Sequence, residues 1–285
     1  MKIIDAHVHF SNIKAFKDYA EQTSMVDYSE RGFKNESTAH DVVKSVCMGL
    51  VETTPGGFPD NNAGMPMMAD LCDNLPSGMS LCLGINPHTL DNRSLSATED
   101  VIRNNKNIVG MKIYAGYYHI DITDLVYNPL YDLAEKHDLT VAIHSGETFS
   151  GRGLLKYSHP LRIDDLAVTR PDLRIVACHM GAPWVFDACE VAAKNPNVYI
   201  DLSGLLVGNA EFIRTQTAEP LLVDRYKQAL VFMQRYDKVL YGTDWPLVPM
   251  GAYIEFCKEL IPVEYHEDVF SNNAMRVYNL SNISG

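Results

Sequence analysis

Short apolar runs recur along the chain, and most of them are separated by a stretch long enough to hold a helix. They lie at 1–10, 45–51, 81–85, 108–114, 139–144, 173–179, 198–203 and 238–244. Strands that alternate with helices are typical of a parallel sheet. Eight such units favour a closed (β/α)8 barrel over an open sheet, so we predict a single TIM-type barrel.

The segments outside these runs add further predictions. Residues 11–40 are polar and irregular and exceed the usual strand-to-helix loop of about 2–6 residues, so they are either a loop that covers a site or a solvated insertion. Apolar residues at helical intervals predict connecting helices at 65–75 and 124–136. Residues 262–285 are expected to form a closing helix with a loose tail, and its buried side would consist of Val269, Phe270, Ala274, Val277 and Tyr278.

Polar side chains stand at the carboxyl ends of four of the runs. His7 and His9 are two residues apart, so a strand projects both from the same face. His144, His179 and Asp244 end the fifth, sixth and eighth runs. In a barrel the carboxyl ends of the strands meet at one face, where active sites are built. The pattern therefore predicts that these five residues are neighbours.

Each of these residues also has an ordinary structural explanation. A His-x-His pair occurs by chance, and a lone strand-end histidine such as His144 or His179 is commonly a hydrogen-bonded structural residue. Asp244, within Gly-Thr-Asp-Trp-Pro, suits a turn or a helix cap. The convergence of the whole set, and no single member of it, favours a metal site.

Charge and cysteine content narrow the class of protein. The formal net charge is −12 and no Lys/Arg cluster is present, which disfavours nucleic acid and anionic membranes as partners. The 6 cysteines are scattered, mostly within apolar runs, which is typical of core positions in a reducing compartment. No apolar run is long enough to cross a membrane and no leader precedes the first strand. We expect a cytoplasmic protein in which 1–285 form one domain.

Three imidazoles and a carboxylate suit a borderline divalent ion such as Zn²⁺, with Mn²⁺ or another divalent ion as alternatives. An ion with an open coordination position lowers the pKa of a bound water toward about 7 and polarises a carbonyl group. Hydrolysis and related attacks on a carbonyl carbon are then available. We therefore expect one divalent metal ion as the cofactor.

Five segments of the sequence resemble the amidohydrolase superfamily, in the order in which that superfamily has them. The most similar branch is the amidohydrolase-related group that contains aminocarboxymuconate semialdehyde decarboxylase, other nonoxidative decarboxylases and some lactonases. The segments are Asp5-Ala6-His7-Val8-His9, Ile143-His144-Ser145-Gly146, Cys178-His179-Met180-Gly181, Asn197-Val198-Tyr199-Ile200-Asp201-Leu202-Ser203 and Gly242-Thr243-Asp244-Trp245-Pro246.

The resemblance implies a metal held by His7, His9, His144 and Asp244 in a (β/α)8 barrel. It also implies that His179 is a catalytic acid or base beside a single ion, whereas in binuclear relatives the equivalent histidine binds a second ion. Asp244 would have a catalytic role too, by taking a proton from water during hydrolysis.

Lys112, near the end of the fourth run, has two interpretations, as a carboxylated or as an unmodified lysine. In binuclear members of the superfamily a lysine on this strand is carboxylated and bridges two metals. An unmodified Lys112 would instead present a positive charge to a substrate anion or to Glu147. We favour the unmodified lysine, because the branch that the sequence resembles usually holds one metal.

Substrate contacts are expected from the segments after the fourth and fifth runs. The second of these is locally basic, which would select an anionic substrate, although solvated helix charges explain Lys156 and Arg162 equally well. His159 is the first candidate contact, together with Lys112, Tyr114 and Arg152. The two segments contribute Tyr114, Tyr117, Tyr118 and His119, and then Arg152, Lys156, His159 and Arg162.

The leading hypothesis is a metal-dependent hydrolase of a small amide, ester or lactone, with or without a carboxylate on the substrate. The alternative is a metal-dependent nonoxidative decarboxylase of a small aromatic or unsaturated acid, which would use the same ligands. A metal-free lactonase and a non-catalytic binding barrel are further alternatives, and the intact set of ligands disfavours the last. The expected partner is a small-molecule substrate, and the assembly considered is a homodimer.

Overall fold

The protein is described by a computed structural model that covers residues 1–11, 13–52, 67–68, 76 and 78–280 of the chain. Eight of its strands are parallel and form one sheet. A further pair, β3 and β4, is antiparallel. The strands are β1 Ile3–Val8, β2 Val42–Met48, β3 Val51–Glu52, β4 Met67–Met68, β5 Met79–Ile85, β6 Ile108–Ile113, β7 Thr140–Ile143, β8 Ile175–Ala177, β9 Val198–Asp201 and β10 Val239–Leu240.

The parallel sheet closes on itself into a nearly complete barrel. Its strand order is β1-β2-β5-β6-β7-β8-β9-β10, which follows the chain. The first and last strands meet where Ala6 N donates to Tyr241 O at 2.9 Å, and Val8 forms a parallel bridge with Trp245. The predicted (β/α)8 barrel is therefore confirmed, and each of the eight apolar runs overlaps one of its strands, although β2 and β5 begin two or three residues before their runs.

Helices surround the strands, and some of them begin at a residue whose side chain accepts a hydrogen bond from the first turn. Asp91 starts α3, since its carboxylate accepts from Ser94 N while the Ser94 hydroxyl accepts from Asp91 N. The helix predicted at 124–136 is α4 with a preceding short turn. The α-helices are α1 Lys14–Tyr19, α2 Glu30–Ala39, α3 Asn92–Asn104, α4 Asn128–Lys136, α5 Leu155–Ser158, α6 Leu161–Thr169, α7 Val185–Lys194, α8 Ala210–Thr217, α9 Pro220–Met233, α10 Met250–Leu260 and α11 Asn273–Val277.

Two sequence predictions need correction. Residues 11–40 are not irregular, because they contain α1, the π-helix Ala20–Ser24 and α2. Their overall polarity concealed short helices that each bury few side chains, such as Phe16 in α1 and Phe33 in α2. Within the helix predicted at 65–75, Met67–Met68 forms the strand β4, and the rest of that segment lies outside the described residues.

The carboxyl-terminal segment closes the amino-terminal end of the barrel. Val277 O accepts hydrogen bonds from Thr140 Oγ1 at 2.5 Å and from Arg174 Nη1 at 2.9 Å, and both residues lie where a strand begins. All five side chains predicted for its buried side are at most 1% exposed. The opposite, carboxyl-terminal end of the barrel is therefore the open one.

Two further observations concern the described part of the chain as a whole. The five cysteines that it contains are all buried, as expected for core positions, while Cys72 lies outside it. Among the helices of the described residues, none combines the length and the apolar character needed to cross a membrane.

Candidate metal centre and active-site cavity

Three of the predicted ligands converge at the carboxyl-terminal end of the barrel. Asp244 Oδ1 lies 3.4 Å from His7 Nε2 and 3.1 Å from His9 Nε2. Two ligand atoms that are each about 2.1 Å from a shared tetrahedral ion are about 3.4 Å apart, so these spacings suit one ion. His7 Nε2 and Asp244 Oδ1 are also buried and have no hydrogen-bond partner among the described residues. The donor set and its unpartnered atoms thus fit a divalent metal.

Asp5 links the two strands that carry these ligands. Its carboxylate accepts from Thr243 N at 2.9 Å, from Thr243 Oγ1 at 2.6 Å and from His7 N at 3.2 Å. Burial raises the pKa of Asp5 to about 7, and the bonds from Thr243 limit that rise. Asp5 therefore fixes the backbone next to both His7 and Asp244.

Two of the site residues have left-handed backbone conformations that non-glycine residues seldom adopt. Asp244 has φ 68° and His179 has φ 60°. Such a conformation costs about 1–3 kcal/mol and persists only where the surrounding structure holds it. Asp244 N donates to His7 O at 2.8 Å, and His179 N donates to Asp201 Oδ1 at 2.8 Å. The surrounding structure thus holds these two residues in unfavourable backbone conformations that direct their side chains into the site.

Asp201 and Ser203 determine which ring nitrogens carry protons. Ser203 Oγ donates its single proton to Asp201 Oδ1 at 2.5 Å, and His7 Nδ1 donates to Asp201 Oδ2 at 2.9 Å. Ser203 Oγ and O then accept from His179 Nδ1 at 2.9 and 3.1 Å. With Nδ1 protonated on both rings, the Nε2 atoms of His7 and His179 keep their lone pairs.

His7, His179 and Asp201 also lie close enough to form a second candidate ligand group. Both carboxylate oxygens of Asp201 are already occupied, by His7 Nδ1 on one side and by His179 N and Ser203 on the other. This group is therefore a hydrogen-bond network that orients the histidines, and the group with unpartnered atoms is the one around Asp244.

Burial keeps the imidazoles of His7, His144 and His179 neutral. It lowers the pKa of His7 to about 3 and that of His144 well below its ordinary value, and the Lys112 charge acts in the same direction. The pKa of His179 is lowered for the same two reasons. For Asp244, burial alone would raise the pKa, but contact with His9 and the nearby His7 lower it below its ordinary value, so its carboxylate is ionised.

His144 lies at the same end of the barrel but outside the compact group around Asp244. Its Nε2 donates to Glu147 O at 2.9 Å, and its ring centre lies 4.8 Å from that of His179 and 5.0 Å from that of Tyr117. Only its Nδ1 is left for a ligand. Coordination by His144 stays a prediction, and the proposal below uses His7, His9 and Asp244.

Lys112 is buried beneath the site. It is 1% exposed, its Nζ lies 2.9 Å from Cys178 Sγ and 5.4 Å from the centre of the Tyr114 ring. The thiol accepts only weakly, so most of the ammonium charge remains available to an anion in the cavity. The unmodified state of Lys112 stays a prediction.

A cavity of about 390 Å³ opens above these residues. Its deepest part is polar, and its walls are largely aromatic. The 11–40 segment covers it, since Phe16 of α1 stacks on the His9 ring with the ring centres 4.7 Å apart. Side chains at its floor are His9, Lys112, His144, His179 and Asp244, and aromatic walls come from Phe16, Tyr19, Tyr114, Tyr117, Phe149 and Tyr226.

The predicted substrate contacts divide into two groups. Lys112 and Tyr114 line the cavity, and so does Tyr117. His159 packs on Trp184 instead, and Arg152 is exposed, so neither lines the cavity. A substrate contact by either of them stays a prediction. The ordinary explanation suits their neighbour Arg162, which forms ion pairs at 2.8 Å with Asp121 and at 2.5 Å with Asp165.

Several residues of the site were not predicted from the sequence. Asp201 and Ser203 belong to a quoted segment, but their bonds to His7 cross 194 and 196 residues and leave no local pattern. Asp5 could have been found, because it is two residues before His7 on the same strand. Arg225 of α9 lines the cavity, but nothing in the sequence distinguished it, since a polar residue on a surface helix is ordinary.

Comparison with known proteins supports these observations. The family model described as "Amidohydrolase" matches residues 4–280. None of the curated proteins compared with the chain matches it.

Solved structures show the same fold at low sequence identity. An uncharacterised TIM-barrel protein from Bordetella bronchiseptica has a TM-score of 0.70 at 20% identity, over 97% of this chain and 98% of its own. A probable 2-pyrone-4,6-dicarboxylic acid hydrolase from Acinetobacter baumannii, with citric acid bound, has 0.65 at 15%, over 98% and 100%. A 5-carboxyvanillate decarboxylase from Novosphingobium aromaticivorans, complexed with manganese, has 0.61 at 14%, over 98% and 96%.

Proposed function

This chain belongs to the amidohydrolase family, and from that premise we propose that it is a divalent-metal-dependent hydrolase of a small lactone, ester or amide that carries a carboxylate. The similar structures include both a hydrolase and a decarboxylase, so the choice between the two reactions depends on the residues of this site.

One observation carries the proposal. His7 Nε2, His9 Nε2 and Asp244 Oδ1 form a compact group, and two of these three atoms are buried without a hydrogen-bond partner among the described residues. Leaving such atoms unsatisfied costs about 1–3 kcal/mol each. A bound divalent ion removes that cost, which is why we assign the ion to this group.

The three ligands would be His7, His9 and Asp244, with His144 as a fourth candidate. A divalent ion bound there would supply Lewis acidity, by polarising the substrate carbonyl, and would make water more acidic. Asp201 keeps the His7 ring in the tautomer that presents Nε2, and Asp5 keeps the Asp244 turn in place. These two carboxylates therefore fix the geometry of the ligands.

Hydrolysis requires that water lose a proton and that the leaving group gain one. Asp244 and His179 both border Gly204, because a Cβ added to that glycine would lie 2.9 Å from Asp244 Oδ2 and from His179 Nδ1, and we assign the two transfers to this pair. Asp244 is ionised and can accept a proton. His179 Nε2 carries a lone pair and can accept that proton and pass it to the leaving group. Hydrolysis needs two groups that transfer protons, whereas decarboxylation needs one, so the presence of both Asp244 and His179 favours hydrolysis.

The substrate carboxylate would be bound by Lys112. Its ammonium group is the deepest positive charge among the described residues of the cavity, and the aromatic walls suit a flat ring or a conjugated chain. The cavity of about 390 Å³ has room for a single-ring substrate.

The test is the metal dependence of the turnover of small substrates. Protein stripped with a chelator and protein reloaded with Zn²⁺ or Mn²⁺ would be assayed on a panel of carboxylate-bearing lactones, esters and amides. We expect turnover only after reloading, with about one ion per chain. Equal rates with and without metal would refute the proposal and favour a metal-free lactonase.

A second candidate function is a metal-dependent nonoxidative decarboxylase. The aromatic walls of the cavity support it, because they suit an aromatic acid, and the same ligands would hold its metal. His179 would then protonate the ring carbon that loses carbon dioxide. Release of carbon dioxide from hydroxybenzoates by the reloaded protein, with no hydrolysis of the other panel, would select this function.

A further inference from the structure

The cavity has positive charge at two depths. Among the described residues that line it, Lys112 and Arg225 are the permanently cationic ones. Lys112 is 1% exposed and lies at the floor, whereas Arg225 is exposed to solvent and belongs to α9, of which Arg225 and Tyr226 line the cavity. A substrate with one anionic group would satisfy only one of these charges.

Arg225 is held in a defined position. One nitrogen of its guanidinium group, Nη2, donates to Pro183 O, and Pro183 itself lines the cavity. The next residue of α9, Tyr226, is buried in the cavity wall, and its hydroxyl donates to Leu205 O at 3.3 Å. The helix is therefore anchored on both sides of the mouth, and the remaining guanidinium N–H groups are available to a ligand.

The charge of Arg225 is not neutralised by a protein carboxylate. The ion pairs found among the described residues include none for Arg225. Glu147 also lines the mouth, and its backbone N donates at 2.7 Å to Ala182 O, next to the Pro183 that holds Arg225. Glu147 is exposed and opposes the binding of an anion there, but no ion pair ties it to Arg225.

We propose that Arg225 is a specificity-determining residue that binds a second carboxylate of the substrate, remote from the group that reacts. The substrate class is then a ring-bearing or conjugated dicarboxylate, with one anionic group near Lys112 and the ion and the other at the mouth. Arginine suits this position because its planar donors bind a carboxylate in a bidentate manner. This inference rests on the proposed function, since it names the substrate class of the same cavity.

The test compares benzoate with isophthalate, which is the same ring with a second carboxylate, as ligands of the metal-loaded protein. Calorimetry at low salt should give a dissociation constant for isophthalate about tenfold to a hundredfold lower than that for benzoate, as expected for hydrogen bonds between charged groups. Arg225→Met should remove this preference and leave benzoate binding unchanged. Lys227→Met is the matched control, because Lys227 lies on the same helix, pairs with Glu259 at 2.6 Å and does not line the cavity.

Two further variants keep the outcome interpretable. Arg225→Lys retains the charge but not the planar fork, so we expect an intermediate preference, and it replaces Arg225→Met if that variant does not fold. Glu147→Gln removes the opposing charge and should tighten isophthalate binding several-fold. Equal binding of the two ligands by the unmodified protein, or an equal loss of both in Arg225→Met, would overturn the proposal.

The same measurements separate this inference from the proposed function. If turnover needs metal but Arg225→Met keeps the isophthalate preference, the proposed function stands and the role of Arg225 is wrong. If the preference depends on Arg225 while turnover is indifferent to metal, the dicarboxylate specificity stands and the metal-dependent mechanism is wrong.

Discussion

Lys238 and Asn273, at the amino-terminal end of the barrel, differ from His7 and Asp244, at the carboxyl-terminal end, in the hydrogen bonding of their buried polar atoms. At the amino-terminal end, the ammonium group of Lys238 donates to three carbonyl oxygens, and Asn273 Nδ2 donates at 2.8 Å to both Tyr236 O and Val239 O. At the carboxyl-terminal end, His7 Nε2 and Asp244 Oδ1 are buried without a partner among the described residues. The first arrangement stabilises the fold, and the second is prepared for a ligand.

Left-handed backbone conformations occur at both ends, at Asp244 and His179 at the open end and at Asp41, Asp138 and Asn279 at the closed end. The two ends therefore differ in the hydrogen bonding of these buried polar groups and not in backbone conformation. Strain and unsatisfied groups persist only where a ligand or the surrounding structure compensates for them. A substitution at the open end should therefore remove activity and preserve stability, and one at the closed end should do the reverse.

The largest effect is expected for Asp244→Asn. The substitution removes a metal ligand and the proton acceptor together, so kcat/KM should fall by a factor of at least about 1,000, which is about 4 kcal/mol. Asparagine tolerates the left-handed conformation at φ 68° as well as aspartate does. The free energy of unfolding of the metal-free protein should then stay the same or rise. Denaturant titration and metal analysis of both proteins check this, and a marked loss of stability would contradict the comparison of the two ends.

Lys238→Met tests the closed end. Lys238 is 2% exposed, and its Nζ donates to Ala192 O at 2.8 Å, Asn195 O at 2.5 Å and Val198 O at 3.1 Å. Losing these bonds leaves buried carbonyls unsatisfied, so we expect the free energy of unfolding to fall by about 3 kcal/mol. The folded variant should keep its kcat. Lys227→Met, at an exposed ion pair, is the control and should change stability by less than about 1 kcal/mol.

Lys238→Met can also be tested by measuring how the free energy of unfolding depends on pH. Burial lowers the pKa of Lys238 to about 8, from the ordinary value of 10.5. Between these two values the unfolded chain binds the proton more tightly than the folded one, so this residue makes stability rise as pH increases from about 8 to about 10.5. Lys238→Met should lack that rise. An identical pH profile in the two proteins would show that the lysine is not desolvated.

The sequence was sufficient to predict the barrel and part of the site, for a physical reason. Buried parallel strands are continuous apolar runs, so all eight could be read, and a polar residue at the end of such a run marks the open end, as for His7, His9 and Asp244. The helices within 11–40 were missed because α2 is polar on average and only Phe33 and Gly32 are buried. These helices are stabilised by their packing on the barrel, which their composition does not reveal.

The residues that orient the ligands could not be predicted in the same way. Asp201 acts on His7 across 194 residues of chain, through a bond that exists only once the barrel closes. Arg225 lines the cavity because of where α9 packs, and no periodicity in the sequence predicts that position. Sequence patterns thus predict which groups reach the open end, whereas the proton on each ring and the shape of the mouth depend on tertiary structure.

The smallest effect is expected for Ser203→Ala, which leaves every proposed ligand in place. Ser203 Oγ accepts from His179 Nδ1 at 2.9 Å and donates to Asp201 Oδ1 at 2.5 Å, so alanine removes one of the two acceptors of the Nδ1 proton and leaves Ser203 O at 3.1 Å as the other. Since the role proposed for His179 is to move a proton and not to hold the substrate, kcat should fall about tenfold, or about 1.4 kcal/mol, with little change in KM. Bound metal should stay at the level of the unmodified protein, because His7 keeps its bond to Asp201. Ser94→Ala, at the exposed cap of α3, is the matched control and should leave kcat unchanged. If Ser203→Ala loses bound metal as well as kcat, the serine supports the metal ligands and not the proton transfer. The open end would then act as one hydrogen-bonded network, and not as a metal group with a separate proton carrier.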